Sequence, residues 1–349
     1  MSEENKVEET RKDFPILKKM SELPGGLVII PLLIAVVIAT CAPGLFQVGG
    51  YVTALFYNGN ACMMGFFLIV CGSMIDIKQV GMPLYKGCVM TGIKFALGVI
   101  MGVVVGKVCG PEGFLGIAPF VLIAAITNSN GSLYISLSSQ FGNATDTGAI
   151  SILSLNDGPF FTLIALGATG LANIPLNALI AVIVPLLIGF VWGNLDKKFR
   201  DTCKTAQPIV TFFMTISIGA KTDLSTIITA GASGIVLGLL SAATAVFFFF
   251  AINACLPRKE RNSMGAAIGT TALNSAMTPA AVAEADPTYA PVVASATAQC
   301  ATASIITLAL CPFITAAFDK YMMRNQKGIY SPEGWAYQRG LDIMAEAGK

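Results

Sequence analysis

The sequence predicts an all-α polytopic membrane protein: ten transmembrane helices in two inverted five-helix repeats, with discontinuous, crossed helices 4 and 9. Three observations carry that prediction. Of 349 residues, 54% are hydrophobic and only 12% charged, whereas soluble domains are about a quarter charged. From Pro24 to Leu195 only eight charges occur: Asp76, Lys78, Lys86, Lys94, Lys107, Glu112, Asp146 and Asp157. Finally, residues 126–166 can be laid on residues 270–310 at a constant offset of 144 without a gap. Long apolar runs with short charged loops fit helices that satisfy their own backbone in lipid.

Spans of roughly 17–28 residues fit the apolar runs near 24–41, 48–75, 83–108, 115–139, 146–169, 175–194, 206–220, 227–255, 262–284 and 290–317. Asn58-Gly59-Asn60 interrupts the second. This gives an N-terminal segment (1–23), a first five-helix repeat (24–195), a linker (196–205), a second repeat (206–318) and a tail (319–349). The polar, mixed-charge start lacks the pattern of a cleavable signal. Cytoplasmic termini put Lys197, Lys198, Arg200, Lys204, Arg258, Lys259 and Arg261 on the inner side with Lys78 and Lys86. The outer side then keeps Lys107 and Lys221, as the positive-inside rule requires. An even number of spans follows, and five per half sets the two copies in opposite orientations. The tail carries Trp335 and Tyr337 and reads as a cytoplasmic extension with room for a short interfacial helix.

Each aligned stretch opens with Thr-x-x-Asn, Thr127/Asn130 and Thr271/Asn274, and closes on similar strings, Thr162-Leu-Ile-Ala-Leu166 and Ile306-Thr-Leu-Ala-Leu310. Upstream, Phe66-Phe67 with Asp76 mirrors Phe212-Phe213 with Asp223, one residue out of step. Duplicated units with matching polar interruptions mark secondary transporters.

The fourth span holds Thr127, Asn128, Ser129, Asn130 and Ser132 around Gly131. So polar a run cannot face lipid as an unbroken helix. The ninth repeats the arrangement with Thr271, Asn274, Ser275 and Thr278 before Pro279, and proline opens the helix ahead of it. Two such breaks, brought together, make a polar cup whose half-helix ends suit a carboxylate. Isolated Ser and Thr more often glue helices together, but the paired clusters favour a binding site.

Asp157 lies near the middle of the fifth span, where a carboxylate costs about 2.5–3.5 kcal/mol and should face a wet cavity. Burial raises such a carboxyl toward neutrality, which suits a proton carrier. Glu284 ends the ninth span, opposite Gln140 in the repeat. Lys94 is placed to neutralise either acid, to meet an anionic substrate, or to snorkel. The glycine stripes 98/102/106 and 234/238 read as close helix packing. Eight of the nine cysteines lie in or beside apolar segments and no histidine occurs, so neither a metal cluster nor a cofactor is expected.

Met20-Ser-Glu-Leu-Pro-Gly-Gly, Ala124-Ala-Ile-Thr-Asn-Ser-Asn-Gly and Ile152-Leu-Ser-Leu-Asn-Asp-Gly-Pro-Phe resemble the bacterial 2-keto-3-deoxygluconate permease family over nearly the whole chain. The resemblance implies proton-coupled symport of that sugar acid into the cell across the inner membrane. It also implies a fold similar to the bile-acid/sodium symporters. A core of spans three to five and eight to ten would face a panel of spans one, two, six and seven. The helices would cross at Asn128–Asn130 and Asn274–Ala276.

Accumulating an anion against the membrane potential costs about 2.3 kcal/mol per charge per 100 mV, so a cation must travel with it. Asp157 or Glu284 can bring a proton. The alternative is sodium-coupled symport of a related organic anion, with oxygens from Asn128, Asn130, Ser151, Glu284 and Gln299. A channel would need rings of repeated elements. An enzyme would need a catalytic constellation the chain lacks. Sugar acid, proton and lipid bilayer are the expected partners, and nucleic acid is not.

Overall fold

A computed structural model of the protein describes residues 15–22, 26–75, 81–153, 158–221 and 224–347. Helices α1 (Ile16–Glu22) and α2 (Gly26–Cys41) lead through a 3-10 turn, Pro43–Gln47, to a bent pair. Its arms, Gly50–Tyr57 and α3 (Asn60–Ser73), meet at 57°, so the run expected as the second span bends where Asn58-Gly59-Asn60 interrupts it. Next come α4 (Met82–Cys109), α5 (Pro119–Thr127), α6 (Gly131–Phe141), α7 (Ala144–Gly148), α8 (Ile150–Leu153), α9 (Phe160–Thr169), α10 (Leu176–Leu195) and α11 (Lys197–Gly219). After α12 (Leu224–Cys255) and α13 (Met264–Ala267), a 3-10 turn (Leu273–Met277) precedes α14 (Thr278–Ala285), α15 (Val293–Arg324) and α16 (Pro332–Ala347).

Among the described residues, four helices are long and apolar enough to cross a membrane: Met82–Cys109, Leu176–Leu195, Ala230–Cys255 and the run Pro287–Tyr330, with the bent pair a fifth if its arms form one span. The other expected spans form shorter or divided helices or, for 206–220, the apolar part of a 23-residue helix with charged first turns. Asp196 caps α11, its Oδ1 accepting from the Lys198 N–H at 2.8 Å. Residues 197–205 of the segment expected as linker (196–205) are therefore the first turns of α11. The tail does form a helix, α16.

The helices sort into two packed groups. In one, α3 lies along α10 while α11 packs on α2 and α3. Gly72 meets the Leu186 carbonyl and Gly189 the Ile69 carbonyl, so any side chain there would push α3 and α10 apart. In the other group α12 lies along α15 and α4 along α5, with α13 against α12 and α6. A Cβ on Gly98 would stand 2.6 Å from Thr127 Cγ2, and one on Gly234 2.7 Å from Thr302 Cβ. Both glycine stripes thus serve as scaffold, where dispersion at close range replaces the weak hydrophobic drive within lipid. All of α5 is buried, which shields the polar residues at its end from lipid.

A buried ion network ties one end of the second group together. Lys86 of α4 lies 2.8 Å from Asp146 and 2.9 Å from Glu260, all three side chains fully buried. It is therefore no free loop charge. Asn143 caps α7 in a capping box with Asp146 and donates to Glu260 at 3.1 Å. Asn262 donates to Asp146 at 2.6 Å. Burial alone would raise the Glu260 carboxyl, but the Lys86 charge and hydrogen bonds from Lys86, Asn143 and Tyr337 together hold it below its ordinary value. A depressed carboxyl stabilises the fold above its unfolded pKa and loses that contribution as pH falls through the folded one. Replacing Lys86 by Met leaves two buried carboxylates without a cation. Thermal unfolding in detergent at neutral pH should show a loss of about 3–5 kcal/mol, and the deficit should shrink at acid pH.

Candidate functional site

The polar run Thr127–Ser132 is a helix break. The α5 helix ends at Thr127, Asn128 takes an extended conformation (φ −90°, ψ 133°), and α6 starts at Gly131 with Asn130 as its cap. Asn130 Oδ1 accepts from the Leu133 N–H at 2.9 Å, satisfying one of the amides a helix start leaves open. The stretch expected as the ninth span is also interrupted, over 268–272, which overlaps the first break at the pair Asn128/Ala272. The short α13 ends at Ala267, and helical structure resumes only with the turn Leu273–Met277 and with α14, where Pro279 fills a first-turn position.

The two breaks touch. The Ala272 N–H donates to the Asn128 carbonyl at 3.3 Å, and the Asn130 N–H donates to Thr270 Oγ1 at 3.1 Å. Contact thus runs through 128–130 and 270–272, slightly upstream of the expected 274–276 in the second segment. Lys94 of α4, 1% exposed, donates to the carbonyls of Ile268 and, at 2.7 Å, Thr270. It does not snorkel, because the second break offers its ammonium two freed acceptors inside the protein.

The expected site residues divide by what their polar atoms already do. Thr127 Oγ1 donates to the Ile123 carbonyl at 2.7 Å and lies 3.4 Å from Thr162 Oγ1. Asn128 donates to the Ala124 carbonyl at 2.7 Å and accepts from the Gly158 N–H at 3.3 Å. Ser275 Oγ donates to the Ala272 carbonyl at 2.6 Å. These groups hold the breaks in shape. Ser129 Oγ, Thr271 Oγ1 and Thr278 Oγ1 are buried without a hydrogen-bond partner, a cost of about 1–3 kcal/mol each unless a ligand or water meets them. Asn274 is half-buried. The side chain of Ser132, and Asp157 with its neighbours 154–156, lie outside the described residues, as do Asp76 and Asp223.

Glu284 is exposed on α14 and lines a crevice of about 260 Å³ where α3 and α10 face α9 and α14. Asn60, whose Oδ1 is buried and unpartnered, lines the same crevice. Gln299 sits elsewhere: it donates to the Gly116 carbonyl and Ser233 Oγ, both at 2.9 Å, beside a separate cavity of about 590 Å³. Ser151 is buried on α8. Among the described residues no group of three His, Cys, Asp or Glu side chains forms a metal site.

Four supporting residues escaped the sequence reading. Thr270 accepts across the crossing, and Thr307 Oγ1 accepts the Thr271 N–H at 3.0 Å. Ser304 donates to the Ala272 carbonyl at 2.8 Å. Thr162 Oγ1 lies beside the Thr127 hydroxyl, whereas Thr307 takes the Thr271 main-chain N–H and leaves the Thr271 hydroxyl without a partner.

Replacing Thr270 by Val should leave the Asn130 N–H buried and unpaired, lowering stability by about 1–3 kcal/mol. Thr278→Val removes a buried hydroxyl that has no partner and should leave stability unchanged or raise it. Thermal unfolding of the two variants side by side checks both outcomes.

A family profile described as 2-keto-3-deoxygluconate permease matches residues 17–324. "2-keto-3-deoxygluconate permease 1" of Salmonella typhimurium is 43% identical over 310 residues, covering 89% of this chain and 97% of the relative. The 2-keto-3-deoxygluconate permeases of Bacillus subtilis and Xanthomonas oryzae pv. oryzae are 30% and 31% identical, covering 90% and 85% of this chain and 96% and 95% of theirs. A chain with two interrupted helices in contact, matched along nearly all its length by these transporters, is a membrane transport protein and not an enzyme, and it belongs to the 2-keto-3-deoxygluconate permease family.

Proposed function

We propose that this protein is a secondary active transporter that takes up 2-keto-3-deoxygluconate with a proton, by alternating access, across the bacterial inner membrane. The observation that carries the reading is the contact between two helix breaks at positions 144 residues apart, with three unpartnered hydroxyls buried in the same two segments. A sugar acid needs hydroxyl partners and an anchor for one carboxylate. Ser129, Thr271 and Thr278 offer the former. Main-chain amides at the ends of the broken helices suit the latter.

In this reading the chain has ten spans in two inverted repeats, with both termini in the cytoplasm. The group α2, α3, α10 and α11 acts as the panel of a bile-acid/sodium symporter-like fold, and the remaining spans act as its core. The crevice at Glu284 lies where the two groups meet, the place such a fold would open. Asp157, Glu284 and Lys94 are the groups assigned to coupling, with the proton on Asp157 or Glu284. Sodium coupling is the second reading, favoured by the exposed Glu284 carboxylate in the same crevice as the unpartnered Asn60 oxygen.

Uptake by reconstituted vesicles under an imposed pH gradient at fixed sodium tests the proposal. Accumulation of 2-keto-3-deoxygluconate that a protonophore collapses supports it, and accumulation indifferent to protonophore moves the coupling to sodium. Asn130→Ala and Asn274→Ala should each weaken substrate binding tenfold or more, about 1.4 kcal/mol, in equilibrium binding. Asp157→Asn should still exchange labelled for unlabelled substrate but fail to concentrate it. Uphill uptake by that variant would place the proton elsewhere.

A further inference from the structure

In carriers built on broken helices, the carbonyls that an unwound segment frees are the groups that coordinate a coupling cation. Here two such carbonyls, of Ile268 and Thr270, already hold a cation. The Lys94 ammonium donates to both, is 1% exposed, and stands 5.4 Å from the centre of the Phe248 ring. An ammonium carries three donors and no acceptor, so carbonyls and an aromatic face are the surroundings a buried one needs. The buried ion pairs at Lys86 do not include Lys94. The positive charge at the break is therefore met by main-chain oxygen, as a bound metal cation's would be.

We propose that Lys94 is a tethered cation filling a monovalent-cation site built from the Ile268 and Thr270 carbonyls. Removing its side chain opens that site to sodium or a small alkylammonium ion. The tethered charge bears directly on the substrate position. Thr270 gives its carbonyl to Lys94 and its hydroxyl to the Asn130 N–H, so one residue joins the cation to the crossing. Held by two main-chain carbonyls, the ammonium places a positive charge beside the crossing that attracts a sugar-acid carboxylate without an arginine, which deepens the coupling reading above. The inference rests on that reading only for its uptake measurement.

The test uses purified, substrate-free protein in a choline background, titrated with sodium chloride and with methylammonium chloride. Lys94→Ala should melt below the wild type in choline and rise by roughly 2 °C or more, saturably, with either added cation. The wild type should not respond. In vesicles, sodium should restore Lys94→Ala uptake at least tenfold while leaving wild-type uptake unchanged. Should Lys94→Ala fail to fold in choline and in sodium alike, Lys94→Gln, which keeps a neutral donor, takes the same titration. Variants whose melting is indifferent to cation identity would overturn the proposal, as would a wild type that shifts as far as they do. Because melting is read without substrate, a wrong substrate assignment would leave this result standing.

Discussion

The structure depends on two pieces of unwound backbone being allowed to exist inside an apolar protein. A helix broken in the membrane interior frees amides and carbonyls with no water to meet them. Here the breaks satisfy one another. Ala272 donates to the Asn128 carbonyl, Asn130 donates to the Thr270 hydroxyl, and Lys94 takes the carbonyls of Ile268 and Thr270. Side chains from neighbouring helices complete the arrangement, Thr307 for the Thr271 amide and Ser304 for the Ala272 carbonyl. Neither break would be tolerable alone, so the two segments constrain each other's position.

The rest of the second helix group serves that constraint. Gly98 and Gly102 let α4 approach α5 closely enough to bring Lys94 to the crossing. The wholly buried α5 keeps lipid away from Thr127 and Asn128. At the other end of α4, Lys86 joins Asp146 to Glu260 and so fixes the loop from which α13 enters the break. One helix therefore carries both buried lysines, each tying a segment of the first half of the chain to one of the second. In the proposed transport cycle this group would move as a unit against α2, α3, α10 and α11.

Much of this was legible in the sequence. Thr127-Asn128-Ser129-Asn130-Gly131 is too polar for an unbroken helix, and Thr271 and Asn274 repeat Thr127 and Asn130 at the same offset. The glycine stripes were readable because close helix contacts need small residues at fixed spacing. The acceptors of Lys94 were not, since main-chain carbonyls leave no mark in a sequence. Nor was the Lys86 network, because Asp146 lies 60 residues from Lys86 and each charge alone resembles a loop residue. Residues 197–205 read as a linker through their charge, yet a good N-cap at Asp196 carries the helix through them. Which hydroxyls glue and which stay open was beyond the sequence, because Thr127 and Thr271 are equivalent in the repeat and differ only in their neighbours.

The sugar-acid site at the crossing is tested most directly by an electron cryomicroscopy map of the protein with 2-keto-3-deoxygluconate bound. The account predicts substrate density against the two interrupted segments, within hydrogen-bonding distance of Ser129, Thr271 or Thr278. Density confined to the cavity beside Gln299, or unbroken helix through 127–131 and 267–273, would contradict it.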